Sequence, residues 1–312
     1  MMTGAADIRP AGLEPFGAEL RRWRERRRVS QLELALRAGT SQRHLSFIES
    51  GRSVPGRAMV VRLAESLGLP LRERNQLLLH AGYAPAYPES ALGDHDLHAV
   101  REALQAVLAG HEPYPAMIVN RAGELLLANT ACRLFFDDLP SHLLTAPVNT
   151  LRVALHPEGL APRIANFASW APHVTQSLQR ELHRNPDPHL EALLEELERY
   201  IPRPPGPARY GLAVPLELST PHGPVRLITT LTTFVTASDV LLSELRMEAF
   251  LPADDATAER LRQRAADTRA SGGSEPTPEQ AFCYRPPREG PPLDQLRPTG
   301  QRTGKIAQGQ DP

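Results

Sequence analysis

Apolar positions in the first eighty residues recur at helical spacing. Phe16, Leu20 and Trp23 stand at i, i+4 and i+7, which predicts a helix from about Pro15 to Arg28. Pro15 suits a first helical turn. Leu34, Ala35 and Ala38 form the inner face of a second helix, opened by Ser30 and Glu33 as a capping box. Gly39-Thr40 is a short turn. Ser41 caps a third helix through Glu49, with Leu45 and Ile48 inward, and Gly51 ends it. Arg57–Leu67 and Leu71–Ala81 read as a fourth and a fifth helix. Residues 84–94, with Pro85 and Pro88, look like a linker. A helix from about Asp94 to Ala109 follows, on Leu97, Val100, Leu104, Val107 and Leu108.

The pattern then changes. Ala116–Asn120 and Glu124–Ala128 are short apolar runs around Arg121-Ala122-Gly123, a hairpin signal. Residues 130–200 read as helical, with breaks at Pro140, Pro147, 157–162 and 185–188. Residues 203–207 form a proline-rich loop. Tyr210–Leu218 and Val225–Val235 are predicted strands; in the second, Val225, Leu227, Thr229, Leu231 and Thr233 alternate with their neighbours at a period of two. Leu241–Phe250 is apolar enough for a last strand. From about Asp254 a helical start loses its core signal.

The resulting division is a five-helix all-α domain over 15–82, a linker and connecting helix over 83–110, and an α+β domain with an antiparallel sheet over 111–252. Residues 1–14 and most of 253–312 are expected to be disordered. The fold class is α+β.

Charge changes this picture. The 312-residue chain carries 35 basic and 36 acidic side chains, a formal −1 that argues against nucleic acid as a partner. The average conceals a division. Residues 15–80 hold thirteen arginines and six glutamates, a net of +7, and residues 81–312 carry −7. A basic module joined to an acidic one points to nucleic acid for the basic part. Cys132 and Cys283 are too few for a disulfide framework and fit a reducing cytoplasm. No apolar run approaches the ~18 residues of a membrane span, so no membrane insertion is expected.

The chemistry sits in Ser30-Gln-Leu-Glu-Leu-Ala-Leu-Arg-Ala-Gly-Thr-Ser-Gln-Arg-His-Leu-Ser-Phe-Ile-Glu-Ser-Gly-Arg-Ser-Val-Pro55. Two short helices joined by a tight turn place the second across the first, with a free polar face that fits a major groove. Gln42, Arg43, His44, Ser46 and Phe47 lie on that face as candidate base contacts. Gln42 suits adenine, Arg43 guanine, and Phe47 a thymine methyl.

The stretch resembles the Cro/repressor helix-turn-helix family, the xenobiotic-response-element-like regulators. The carried pattern is Ser-Gln-x-x-Leu-Ala, Ala-Gly, x-Ser and Ile-Glu-x-Gly-x-x-x-Pro, between Phe16 and Leu79. The resemblance implies a phosphate contact and a supporting role for Gln31. It also implies pairing of Arg24 with Glu49, and phosphate contacts from Ser41, Arg52, Ser53 and Arg57. A dimer on a two-fold duplex operator follows, because one module reads a half-site.

The second domain, strand-strand, helices, then antiparallel strands, resembles a PAS-like sheet with helices over one face. More narrowly, it is similar to the ligand-binding domain of MmyB-like transcription regulators. The carriers are Ala81-Gly-Tyr-Ala-Pro, His111-Glu-Pro-Tyr-Pro-Ala, Leu127-Ala-Asn-Thr-Ala, Asn149-Thr-Leu-Arg, Leu155-His-Pro-Glu-Gly-Leu-Ala-Pro-Arg-Ile-Ala-Asn166 and Leu242-Ser-Glu-Leu-Arg-Met-Glu-Ala-Phe-Leu-Pro252. One departure is Gly123-Glu124, where the family carries a Trp-Asn pair. The resemblance implies a cavity for a small apolar ligand, a fatty acid being one candidate. Phe135, Phe136, Leu144, Leu151, Ile164, Phe167 and Trp170 are candidate walls. Arg152, His156 or Arg163 would anchor a carboxylate. The alternative for the same residues is a plain core.

Enzyme motifs are missing. There is no G-x-S-x-G, phosphate loop or zinc helix motif, and no catalytic residue, metal or cofactor is expected. His95, Asp96 and His98 read as well as a capping cluster as a metal site, and Cys132 reads as a buried thiol. The expectation is a DNA-binding transcription regulator with a small-molecule sensor. The rivals are a regulator whose second domain only dimerises, and an enzyme with a helical localisation module.

Overall fold

The computed structural model describes residues 14–202, 214–234 and 237–270. The predicted disorder of the N-terminus and of the chain beyond 270, and the proline-rich loop at 203–207, lie outside these residues.

Five helices open the chain: α1 (Phe16–Arg26), α2 (Gln31–Arg37), α3 (Gln42–Glu49), α4 (Arg57–Ser66) and α5 (Leu71–His80). Their inner faces meet in one core, where Leu20, Leu34, Leu45, Ile48, Leu63 and Leu77 are fully buried. The caps are those the sequence predicts. Ser30 accepts from the Glu33 N–H and Ser41 from the His44 N–H, both at 3.1 Å. The reciprocal half of the capping box is replaced, because the Glu33 carboxylate pairs with Arg37.

The chain then forms α6 (His98–Gly110), β1 (Ala116–Val119), β2 (Leu125–Ala128), α7 (Arg133–Phe136), α8 (Thr150–Leu155), α9 (Phe167–Arg184) and α10 (Pro188–Tyr200). It closes with β3 (Leu216–Leu218), β4 (Val225–Thr233), α11 (Val240–Glu244), β5 (Arg246–Pro252) and α12 (Asp255–Ala270). The sheet is antiparallel throughout, in the order β2-β1-β5-β4-β3. The first hairpin therefore pairs with the last strand, Ala116 opposite Ala249 and Val119 opposite Arg246.

Helices cover both faces of this sheet rather than one. Met117, Val119 and Leu125 face a core shared with α7, Ile164 and Phe250. Ala116, Ile118 and Leu127 face the opposite way, against Leu104 and Leu108 of α6. Burial on both faces explains why β1 and β2 are continuously apolar instead of alternating. It also makes α6 part of the second domain's core.

Two further elements differ from their sequence reading. The run expected as a strand over 241–250 is split into α11 and β5. Asp239 accepts the Leu242 N–H at 3.2 Å and starts a helical turn before the chain extends at Leu245. A short apolar run does not by periodicity tell a buried helix from a buried strand. At the other end, residues 255–270 of the expected tail form α12. Asp254 accepts the Thr257 N–H at 2.8 Å, and Ala258 and Leu261 are buried. In β4 only Val225 and Leu227 are buried, because β3 pairs with residues 225–227 alone.

Candidate nucleic-acid interface and ligand-binding domain

Helix α3 is fastened from behind. The absent side chain of Gly17 lets α1 lie against its end: a Cβ there would stand 2.4 Å from the Ile48 carbonyl oxygen and 2.6 Å from that of Glu49. Nothing in the sequence pattern singles out this glycine. Glu49 then gathers three hydrogen bonds. Arg24 donates through Nε at 2.6 Å and Nη2 at 3.0 Å, and Gln31 through Nε2 at 2.8 Å. Arg24 also reaches the Val29 carbonyl at 3.1 Å, which ties down the turn before α2. The carboxylate raises the pKa of Arg24, so the guanidinium is held as a cation. The Arg24–Glu49 pair is the one the resemblance implies. Gln31 turns its amide inward and donates one N–H to Glu49, which leaves its second N–H and its oxygen for other partners.

The opposite face of α3 is open. Gln42, Arg43 and His44 are exposed, Ser46 and Phe47 half-buried, and Leu45 and Ile48 inside. Phe47 is not a free apolar tip. Two guanidinium groups lie over its ring, Arg43 at 5.4 Å and Arg52 at 5.6 Å. Its carbonyl accepts the Arg52 N–H at 2.8 Å and the Ser53 N–H at 3.1 Å, which fixes the loop after α3. Ser41, Arg52 and Arg57 are exposed around the same face and Ser53 is half-buried. Among the described residues no carboxylate pairs with Arg43, Arg52 or Arg57.

The candidate ligand-binding residues divide differently. Phe135, Phe136 and Ile164 are 3–4% exposed and packed into the core below the sheet, with Phe135 and Phe250 at 4.7 Å between ring centroids. Leu144, Phe167 and Trp170 pack partly buried against this core. Phe167, Trp170 and Leu151 also border the α9–α10 hairpin. The three anchor candidates do not converge. Arg152 is held bidentately by Glu196, at 2.6 and 2.8 Å. That pairing lowers the pKa of Glu196. His156 accepts the Glu158 N–H at 3.1 Å and packs its ring on Tyr200 at 4.9 Å. Arg163 donates to the Leu134 carbonyl at 3.1 Å and faces no carboxylate within ion-pair distance; burial lowers its pKa. Of the three, Arg163 alone meets only backbone carbonyls, those of Leu134 and Ser219, with Asp138 nearby and no ion pair among the described residues.

At the departure from the family pattern, Gly123 has φ +77°, and a Cβ there would meet Leu151 Cγ at 2.9 Å. A side chain there would be strained by the positive φ and would require Leu151 to shift. Glu124 instead borders a cleft of about 180 Å³ with Ala122, Asn149, Arg152 and Leu190. Elsewhere His142, His156 and Glu158 bring one ligand atom each within 4.8 Å of one another. His156 Nδ1 already accepts the Glu158 N–H at 3.1 Å. Cys132 is buried and its pKa raised by desolvation, which leaves the thiol inert.

Comparison with known proteins agrees with both halves. Residues 15–77 match the family described as "Helix-turn-helix domain", and residues 100–263 match "MmyB-like transcription regulator ligand binding domain". Over 119 residues the chain is 30% identical to the "Uncharacterized HTH-type transcriptional regulator RghRB" of Bacillus subtilis (strain 168), covering 38% of this chain and 77% of that one. Over 72 residues it is 40% identical to the "HTH-type transcriptional repressor RghR" of the same organism, covering 23% and 51%. A solved structure, "Structure of an RNA-binding Light-Oxygen-Voltage Receptor", overlaps 80% of this chain and 63% of its own at 12% identity and a TM-score of 0.22, too low to define a shared fold. With a reader helix fastened from behind and open in front, and an α+β domain matched over more than half the chain, the protein belongs to the MmyB-like transcription regulators, DNA-binding proteins that join a helix-turn-helix to a ligand-binding domain.

Proposed function

We propose that this regulator binds a two-fold duplex operator as a homodimer in the cytoplasm, and that a small apolar ligand in the second domain sets its affinity. The observation that carries the reading is α3 itself. Its inner face is locked by Gly17 and the Arg24–Glu49–Gln31 cluster, while Gln42, Arg43 and His44 are exposed on its outer face. Gln42 and Arg43 then read base edges, and Arg52, Arg57, Ser41 and Ser53 hold phosphates. Phe47 acts by holding Arg43 and Arg52 in place. Gln31 acts mainly by holding Glu49.

For the ligand, the reading places an aliphatic chain among Phe135, Phe136, Ile164 and Phe167, with an acidic end on Arg163. The tight packing of the first three residues favours a second reading, a domain that dimerises without ligand. One preparation tests both. The intact protein is used to select an operator from random duplexes, and Gln42→Ala and Arg43→Ala are compared on it. Retention of sequence preference in both variants rules out the reader assignment. Native mass spectrometry of the same protein, purified from its own host, shows a co-purifying lipid if the second domain is a sensor, and a bare chain if it only dimerises.

A further inference from the structure

The two domains meet through charged groups that are buried. Arg121, in the turn between β1 and β2, has a side chain only 9% exposed. Its Nη1 donates to Glu73 of α5 at 2.9 Å, and its Nη2 to the Asn185 carbonyl at 2.6 Å. Glu181 lies 3.5 Å from its Nε and Asp187 3.7 Å from its Nη1. Asn185, at the end of α9, is also held from the other domain: its Oδ1 accepts Arg27 Nη2 at 2.9 Å, and Arg27 lies over the Trp23 ring of α1. The turn between α9 and α10 is therefore gripped by the DNA-reading domain through Arg27 and by the sheet through Arg121. One residue before Glu73, Arg72 is bidentate to Glu244 of α11, at 2.8 and 3.0 Å. Helix α5 is thus clamped at two successive positions.

The junction is not fully satisfied. Glu73 Oε2 and the Nε atoms of Arg27 and Arg121 are buried without a hydrogen-bond partner. Such groups make a joint that is discrete: a buried charge that loses its remaining partner is strongly disfavoured, so the contact either holds or opens to water. Both pieces that meet at Arg121 also run into the cleft of the second domain. Ala122 follows Arg121, and Leu190 lies in α10 three residues after Asp187; both line it, and Leu151 occupies the space that a Cβ on Gly123 of the same turn would need. A change in the spacing of the hairpin and α10 must change the bonds of Arg121.

We infer that the Arg121–Glu73–Asn185–Arg27 junction is the regulatory joint of this protein. Closed, it fixes the orientation of the reader domain on the second domain; opened by movement of the hairpin against α10, it releases that orientation. This rests on the proposed function in one respect, that the reader binds an operator.

The test compares full-length wild type with Arg121→Met, Glu73→Gln and the double variant. Hydrogen exchange is followed by segment, and affinity is measured on the operator selected by the wild type. Each single variant should speed exchange at least tenfold in residues 71–80 and 185–190, with β1 and α4 protected as in the wild type. Operator affinity should change at least threefold in each. The double variant should add little to either single one, because both remove the same contact. Unchanged exchange in those segments overturns the joint. Faster exchange with affinity changed less than threefold overturns its regulatory role. If Arg121→Met does not fold, Glu73→Gln alone carries the exchange and affinity comparison. A wild type that selects no operator sinks the proposed function, while the exchange data still decide whether the joint exists.

Discussion

Glu49 shows how one side chain can fix a helix from behind and leave its outer face open. Its carboxylate is nearly fully buried and answered by Arg24 and Gln31, so α3 cannot rotate without stranding a charge. Removing one partner of a buried pair costs about 3–5 kcal/mol. Arg24→Ala should therefore lower stability by roughly that amount in urea unfolding of the intact protein. Gly17→Ala acts on the same contact from the other side, since its methyl group meets backbone oxygens rather than a flexible side chain. Overpacking of this kind costs about 1–3 kcal/mol, and the expected companion effect is weaker operator binding as α3 shifts. The outer face obeys different rules. Arg43→Ala should relax base preference by about 1–3 kcal/mol at one position of the operator. Arg52→Ala should weaken binding across sequences and reduce the slope of log affinity against log salt by about one. Titrations at several salt concentrations separate the two. Phe47→Ala, which frees both guanidinium groups, should show some of each effect.

Among the elements, α12 contributes most beyond its sequence signal. It lays Leu261 into the core under the sheet, beside Phe250 and Leu227, and Thr257 caps the edge by accepting the Arg226 N–H at 3.0 Å. Leu261→Ala should cost about 2–5 kcal/mol, read as a fall in the midpoint of thermal unfolding. A marginal effect there would mean that α12 rests on the sheet without sealing it. The pairing of β1 with β5 has a similar consequence. Strands from opposite ends of the second domain are neighbours, so the domain cannot complete its sheet until residue 252 is in place.

On the scale of the molecule, charge separates the two halves: +7 over residues 15–80 and −7 over residues 81–312. The acidic half should be repelled by phosphates and so limit non-specific binding. The reader domain has its own core, and residues 14–82 alone should bind random duplex more tightly than the intact protein at low salt. The difference should vanish as salt rises and screens the acidic half. Equal affinities at low salt would show that the acidic domain lies too far from the DNA to matter.

Most of the reader domain was legible in the sequence because its information is local. Caps at Ser30 and Ser41, the helical spacing of Leu45 and Ile48, and the basic excess all act within a few residues of one another, and five helices follow from them. The same holds for the hairpin turn at Arg121-Ala122-Gly123. What the chain could not disclose by pattern was long-range. The side chain of Gln31 turns to Glu49 rather than outward, and Arg152 is taken by Glu196. Arg121 looks in the sequence like any turn arginine. Only the approach of α5 and of the α9–α10 turn, 48 and 64 residues away in the chain, makes it a buried cation shared by two domains. Short-range hydrogen bonding and periodicity decided the elements; desolvation of paired charges, which depends on which distant surfaces meet, decided how they are joined.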